Sequence, residues 1–359
     1  MIDTIRTMLQ ELTAIDAISG DERPMVQHLA RRLAEAGITT TGDAAGNLYA
    51  VRTGTQPGPT VLIAAHMDEI GMMVKSIDRG GFLRFEKIGG VIDNLLPARV
   101  VRVRGVTGII GMKAGHYQTE QERTQARKHT ELYIDVGCTD AAGVAALGIR
   151  VGDPIAFVSP LVALGGNPNL VAGKAVDNRL GCALLLQLLL DGSAPAAGTL
   201  VAAFTVQEEV GLKGAGIAAE RWRPTLALAL DTMPTGDTPD MSFDKDLNVA
   251  IGAGPVIQVM SGPSGQGNLL HPGVREWLLE TAAAANLPIQ VCAFSGGRND
   301  SASMAWAAAG IAAGSITLPR RYSHSPVEVA DLRDATVALR LLQSVLTRMD
   351  HLPAFDFLA

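Results

Sequence analysis

Five short segments of this chain carry residue types that could hold metal and move protons. His66-Met-Asp68-Glu69, Gln207-Glu208-Glu209 and Asp231 each follow an apolar run, at residues 61–65, 200–206 and 225–230. Asp177 lies in Gly173-Lys-Ala-Val-Asp-Asn-Arg-Leu-Gly181, and His324 lies in Leu318-Pro-Arg-Arg-Tyr-Ser-His-Ser-Pro326. Imidazole and carboxylate ligands without thiolate suit Zn²⁺, Co²⁺ or Mn²⁺ in a hydrolytic site. Two divalent ions bring four positive charges. Three carboxylates with two neutral histidines would reduce these to one, leaving charge to activate a water. A single ion would be overcompensated, so the arithmetic favours two metals if the groups meet.

Taken singly, the segments differ in weight. Asp177 or Asp231 alone reads as a helix cap or turn residue, and His324 alone suits an ordinary polar loop. Glu208-Glu209 could be solvated charge, although a charge pair directly after a buried run is unusual. His66-Met-Asp68 is the most informative, because Asp68 can accept the imidazole N–H that a metal leaves free.

The elements that must position these groups are legible from periodicity. Residues 1–37 repeat apolar positions at helical spacing and break at Ser19-Gly20 and Gly37, which predicts two helices. The runs at 61–65, 200–206 and 225–230 lack polar alternation, the pattern of strands covered by helices on both faces. A strand is expected at 47–52, a helix at about 178–190, strands near 255–259 and 288–293, and a helix at about 329–349. In open α/β sheets the crevice beyond the strands' carboxyl ends binds ligands, and the ionisable residues lie there. Residues 71–160 change to short alternating runs punctuated by glycine, an all-β texture. Within them, 116–130 is polar and reads as a mobile loop. The chain therefore reads as one α/β domain, 1–70 plus 161–359, split by a β insert at 71–160.

Composition excludes several classes. With 359 residues, 47% hydrophobic and 18% charged, the chain can bury a substantial core. Its 30 Lys and Arg against 36 Asp and Glu give a net charge of −6, so no nucleic-acid partner is expected. Cys138, Cys182 and Cys292 are odd in number and far apart, which favours a reducing cytoplasm over a disulfide framework. Asp3, Arg6 and Glu11 interrupt any secretory apolar run, and residues 303–318 fall short of a membrane span, so no membrane partner is expected.

His66-Met-Asp-Glu-Ile-Gly, Ala175-Val-Asp-Asn-Arg, Gln207-Glu-Glu-Val-Gly, Leu230-Asp-Thr and Arg321-Tyr-Ser-His-Ser-Pro resemble, in order and context, the M42 family of metallo-aminopeptidases. Leu132-Tyr-Ile-Asp-Val-Gly and Leu147-Gly-Ile-Arg-Val-Gly-Asp resemble that family's insert. The resemblance implies a mixed sheet covered by helices with an inserted small β-barrel-like domain. It implies two divalent ions per subunit: His66 and Asp231 on one, Glu209 and His324 on the other, Asp177 bridging. Glu208 would be the general base, and Asp68 would orient His66. The insert would mediate dimerisation, and dimers would build a tetrahedral dodecamer admitting short peptides. One departure stands out: in Ser295-Gly-Gly-Arg-Asn-Asp300, Asn299 replaces the family's expected Thr. The reading is a cytoplasmic aminopeptidase. Rivals are a di-metal deacylase or carboxypeptidase of the same clan, and a non-catalytic assembly protein.

Overall fold

The computed structural model describes residues 1–357 of the chain. Eleven strands form the main sheet. Its order is Thr40–Gly42, Leu48–Thr53, Ala197–Thr205, Gln56–His66, Leu226–Pro234, Ala312–Arg321, Glu328–Asp331, Asn167–Gly173 and Val162–Leu164. Val256–Met260 and Gln290–Ala293 branch from Ala312–Arg321. The central strands Ala197–Thr205, Gln56–His66, Leu226–Pro234 and Ala312–Arg321 run parallel, and the outer pairings are antiparallel except that of Val256–Met260 with Gln290–Ala293. The sheet is thus mixed, with its parallel, most apolar strands in the middle, where both faces are covered.

Helix Val176–Leu190 shows why the core sits where it does. Its Leu-Gly-Cys-Ala-Leu-Leu-Leu-Gln-Leu-Leu-Leu sequence is apolar on nearly every side, and its side chains from Val176 to Leu186 are buried. It packs on the sheet and against the helices Ile2–Thr13 and Leu332–Thr347. Those two are amphipathic and bury only one stripe, Ile5, Leu9 and Leu12 in the first and Leu339, Leu342 and Val345 in the second. The fully buried Arg179 donates to the carbonyls of Leu12, Ile15 and Ala17 and to Glu69 Oε1, pinning the chain that leaves the first helix.

Between Gln56–His66 and Asn167–Gly173 the chain makes a closed barrel from Gly71–Ile77, Leu83–Ile88, Tyr133–Asp135, Val106–Gly111, Val100–Val103 and Pro154–Phe157. Met72, Val74, Leu83, Phe85, Val101, Val103, Ile110, Ile134 and Ile155 fill it, the alternating inward positions that a small barrel requires. The polar stretch at 116–130 carries a short helix, Glu120–Thr124, with a complete Thr119/Glu122 capping box. The sequence pattern had pointed there to a loop because it offers no apolar face. The carboxyl-terminal helix starts at Leu332 rather than 329, since Glu328–Asp331 pairs as a strand first. Among the described residues no helix is long and apolar enough to cross a membrane.

Candidate metal centre

The parallel strands deliver their ends to one place. His66 closes Gln56–His66 and lies in register with Thr205, so Glu208 and Glu209 leave the neighbouring strand beside it. Asp231 stands in Leu226–Pro234, and His324 follows Ala312–Arg321 in a turn with φ of +56°. Asp177 comes from the first turn of Val176–Leu190, after Ala175 at φ +54°, and the Asp177–Asn178 peptide bond is cis. Non-glycine residues at positive φ are costly, and Ala175, Gln207, Leu212, Tyr322 and His324 all adopt it around this site.

The side chains fall into two groups whose candidate ligand atoms lie within 4.8 Å of one another: His66, Glu208 and Asp231, and Asp177, Glu209 and His324. Asp177 reaches both. Its Oδ1 is 3.2 Å from His66 Nε2, and its Oδ2 is 3.6 Å from His324 Nε2. Asp231 Oδ1 is 3.6 Å from His66 Nε2, and Glu209 Oε2 is 3.5 Å from His324 Nε2. The groups line a cavity of about 490 Å³. Asp68 joins neither group and lies behind them, fully buried.

Two carboxylates organise the rest. Asp68 accepts from Ser19 Oγ at 2.6 Å and from the backbone N–H groups of Glu208 and Glu209 at 3.0 and 3.2 Å. The glutamate pair therefore sits in a turn, entered through Gln207 at φ +55°. His66 Nδ1 lies 3.2 Å from the backbone oxygen of Asp68 and 3.4 Å from its Oδ1. Glu328 does the same work on the other side: it accepts from Asp177 N at 2.9 Å and from His324 N at 3.0 Å, and it pairs with Arg320. Arg320, buried, also donates to Asp177 Oδ2 and to Thr232 Oγ1.

The sequence reading did not single out Glu328 or Arg320. The available signal was weak: a Glu four residues after His324, followed by an apolar pair, marks an inward-facing charge only once that segment is known to be a strand. Cys182 packs beneath the site, its thiol 3.1 Å from the backbone oxygen of His66, too far back to serve as a ligand.

Electrostatics shows that this cluster suits cations. Burial pushes Glu208 well above the ordinary carboxylate range, and the charges of Asp231, Glu209 and Asp300 add to the rise. Burial, then Asp177, pushes Glu209 up to about 8, and burial raises Asp231 also. Asp177 runs the other way: despite burial, Arg320 with His324 and His66 holds it well below its usual value. Burial disfavours protonated His324, yet Asp177 and Glu209 lift it to about 9. Carboxyl groups that cannot all ionise together, interleaved with imidazoles and free of thiolate, form a donor set fitted to oxygen- and nitrogen-preferring divalent metals.

Residues 46–341 match the family model described as M42 glutamyl aminopeptidase. The glutamyl aminopeptidase of Lactococcus lactis subsp. cremoris is 29% identical over 95% of this chain and 96% of its own length. An aminopeptidase from the archaeon Desulfurococcus kamchatkensis superposes with a TM-score of 0.92 at 34% identity, covering 98% of each chain. The TET1 peptidase of Pyrococcus horikoshii, which can assemble into a tetrahedron or a large octahedral shell, superposes with a TM-score of 0.83 at 28% identity over 96% of this chain and 99% of its own. With the family match spanning most of its length, the chain belongs to the M42 family of aminopeptidases.

Proposed function

We propose that the chain is a dinuclear metallo-aminopeptidase in which His66 and Asp231 hold one divalent ion, Glu209 and His324 hold a second, and Asp177 bridges them. The observation that carries this reading is the two-sided carboxylate of Asp177, with one oxygen toward His66 and the other toward His324. When bound, the ions supply the charge that activates a water and polarises the scissile carbonyl. Zn²⁺ or Co²⁺ suits the donors best, and Mn²⁺ is the next candidate.

Glu208 has the attributes of the general base. It is buried, its affinity for a proton is raised, and it reaches the cavity. It takes the proton from the attacking water and returns it to the leaving amine. Asp68 holds His66 and the Glu208–Glu209 turn in place, and Glu328 holds the backbones of Asp177 and His324. The residues at 71–160 act as an assembly domain through which subunits pair and, by likeness to the TET1 peptidase, build a tetrahedral dodecamer that admits short peptides. Three free cysteines fit a cytoplasmic setting.

The deciding experiment is peptide hydrolysis by protein stripped with a chelator and reloaded with Zn²⁺, Co²⁺ or Mn²⁺. Activity should vanish and return, and release of the first residue should require a free α-amino group. Cleavage of the N-acetylated peptide instead would favour a deacylase, and release from the other end a carboxypeptidase. Full activity of the stripped protein would refute the proposal, and inertness under every metal would favour the assembly protein. Light scattering tests the assembly, which a monomer would reject.

A further inference from the structure

One wall of the metal-bearing cavity carries two side-chain hydrogen-bond donors, on Gln258 and Arg298. Gln258, on Val256–Met260, is buried and lines that cavity. The orientation of its amide is fixed by a chain of contacts that begins at a backbone N–H, whose role as donor is unambiguous. Ser301 N and Ser301 Oγ both donate to Asn299 Oδ1, at 3.1 and 2.6 Å. The Asn299 amide nitrogen must then be the donor to Gln258 Oε1, at 2.7 Å, where Ser315 Oγ also lies at 3.3 Å. With its oxygen so committed, Gln258 keeps its Nε2 for the cavity. Among the described residues nothing accepts from it.

Arg298 lines the same cavity. Among the described residues its guanidinium has neither an ion pair nor a hydrogen bond, whereas the other cavity-lining arginine, Arg320, is spent on Asp177 and Glu328. The Arg298 stem lies over two glycines: a Cβ at Gly262 or Gly267 would come within 2.9 or 2.8 Å of its Cγ. The loop at 262–267 thus leaves room for this side chain. Carboxyl groups already crowd the cavity, so an entering anion needs a cation to meet it, and Arg298 is the one without a partner.

We propose that Arg298 and the Nε2 of Gln258 form a subsite for a carboxylate of the substrate, with Asn299 as the positioning residue that sets the polarity of Gln258. This rests on the aminopeptidase reading and deepens it. The carboxylate can belong to the side chain of an N-terminal Asp or Glu, or to the free C-terminus of a very short peptide. A cationic side chain would meet the Arg298 guanidinium and the Gln258 amide donor there and is disfavoured.

The test compares kcat/KM for Glu-, Gln-, Leu- and Lys-p-nitroanilides, which lack a C-terminal carboxylate, and for Leu-Gly against Leu-Gly-amide. The proteins are the metal-loaded wild type, Arg298→Ala and Asn299→Asp. Losing a charge-assisted pair should lower the Glu-to-Leu ratio in Arg298→Ala about 10-fold or more, mainly through KM. If the C-terminus is the source, the Leu-Gly to Leu-Gly-amide ratio falls instead. Asn299→Asp offers Gln258 an acceptor, turns its amide over and presents Oε1 to the cavity, so the Lys-to-Glu ratio should rise. Arg298→Ala with both ratios unchanged would overturn the subsite, as would Asn299→Asp with an unchanged Lys-to-Glu ratio. Calorimetric binding of free L-glutamate against L-leucine reads the subsite without turnover. Tighter glutamate binding that Arg298→Ala removes, in a protein cleaving none of the substrates, would keep the subsite and sink the aminopeptidase reading.

Discussion

Replacing the adjacent glutamates one at a time separates base from ligand. Glu208→Gln keeps the shape of the side chain and removes its basicity, so turnover should fall at least about 100-fold, the lower range for a lost general base. Both ions should remain. Glu209→Gln acts on the Asp177, Glu209 and His324 group, where it removes one of two carboxylates. The change has one compensating term. A Glu209 carboxyl raised from 4.5 to about 8 resists ionisation by about 5 kcal/mol in acid, but at pH 7 only the last unit, about 1 kcal/mol, remains to be overcome by a metal. An amide avoids that small cost and forfeits the whole charge attraction. The second ion should therefore bind at least about 100-fold more weakly, beyond the 10- to 100-fold cost of losing an outer partner. Elemental analysis of the purified variants, with steady-state hydrolysis of an aminoacyl arylamide at rising metal concentration, measures both effects. Glu208 lies close enough to His66 and Asp231 to be a ligand itself. If Glu208→Gln loses metal while Glu209→Gln keeps two ions per subunit, the assignments are exchanged and the reasoning fails.

Three further outcomes follow from the same geometry. Metal entering beside Glu209 and His324 must displace protons, because their pKa values of about 8 and 9 keep them protonated at neutral pH. Affinity should rise at least about tenfold per pH unit between pH 6 and 8, and calorimetric heats that do not depend on buffer ionisation would contradict this. The protonated His324 stabilises the metal-free fold below its unfolded value of 6.5, and that contribution should disappear as pH rises through about 9, visible as a falling Tm that His324→Ala abolishes. Glu328→Gln leaves one oxygen where two accept backbone N–H groups and strips Arg320 of a partner. It should weaken the second ion about 10- to 100-fold in a metal-binding titration, and an unchanged affinity would remove Glu328 from its positioning role.

Much of this was legible in the sequence because the chemistry sits at the ends of apolar runs. The strands carrying His66 and Asp231, the two first helices and the helix after Asp177 all lie where periodicity puts them. Strand Ala312–Arg321 was not legible. Its Ala-Ala-Gly-Ser start has little β propensity, and burial between Leu226–Pro234 and its other neighbours overrides that. Asn167–Gly173 and Val162–Leu164 were missed for a related reason: the Gly165-Gly-Asn-Pro-Asn169 stretch that joins them and opens the second strand looks like a turn. The turn at Glu208–Glu209 could not be read because the carboxylate that folds it, Asp68, is 140 residues away in sequence. Long-range hydrogen bonds to backbone N–H groups leave no periodic trace.

The barrel does not merely sit beside the candidate metal centre. At Gly89 a Cβ would stand 3.3 Å from Glu209 Cβ, and at Gly90 one would stand 2.2 Å from His324 Nδ1. A loop of the barrel thus supplies the back wall against which the His324 imidazole rests, and only a residue without a side chain fits there. A tilt of the barrel that moved Gly90, such as one imposed by association through its outer surface, would press on or release that ring. Coupling of this kind runs equally in both directions: if pairing of subunits favours one barrel posture, filling the metal centre favours pairing by the same free energy. Hydrolytic competence and quaternary structure would then rise and fall together, and a trimmed chain without the barrel would be a poor miniature of the enzyme.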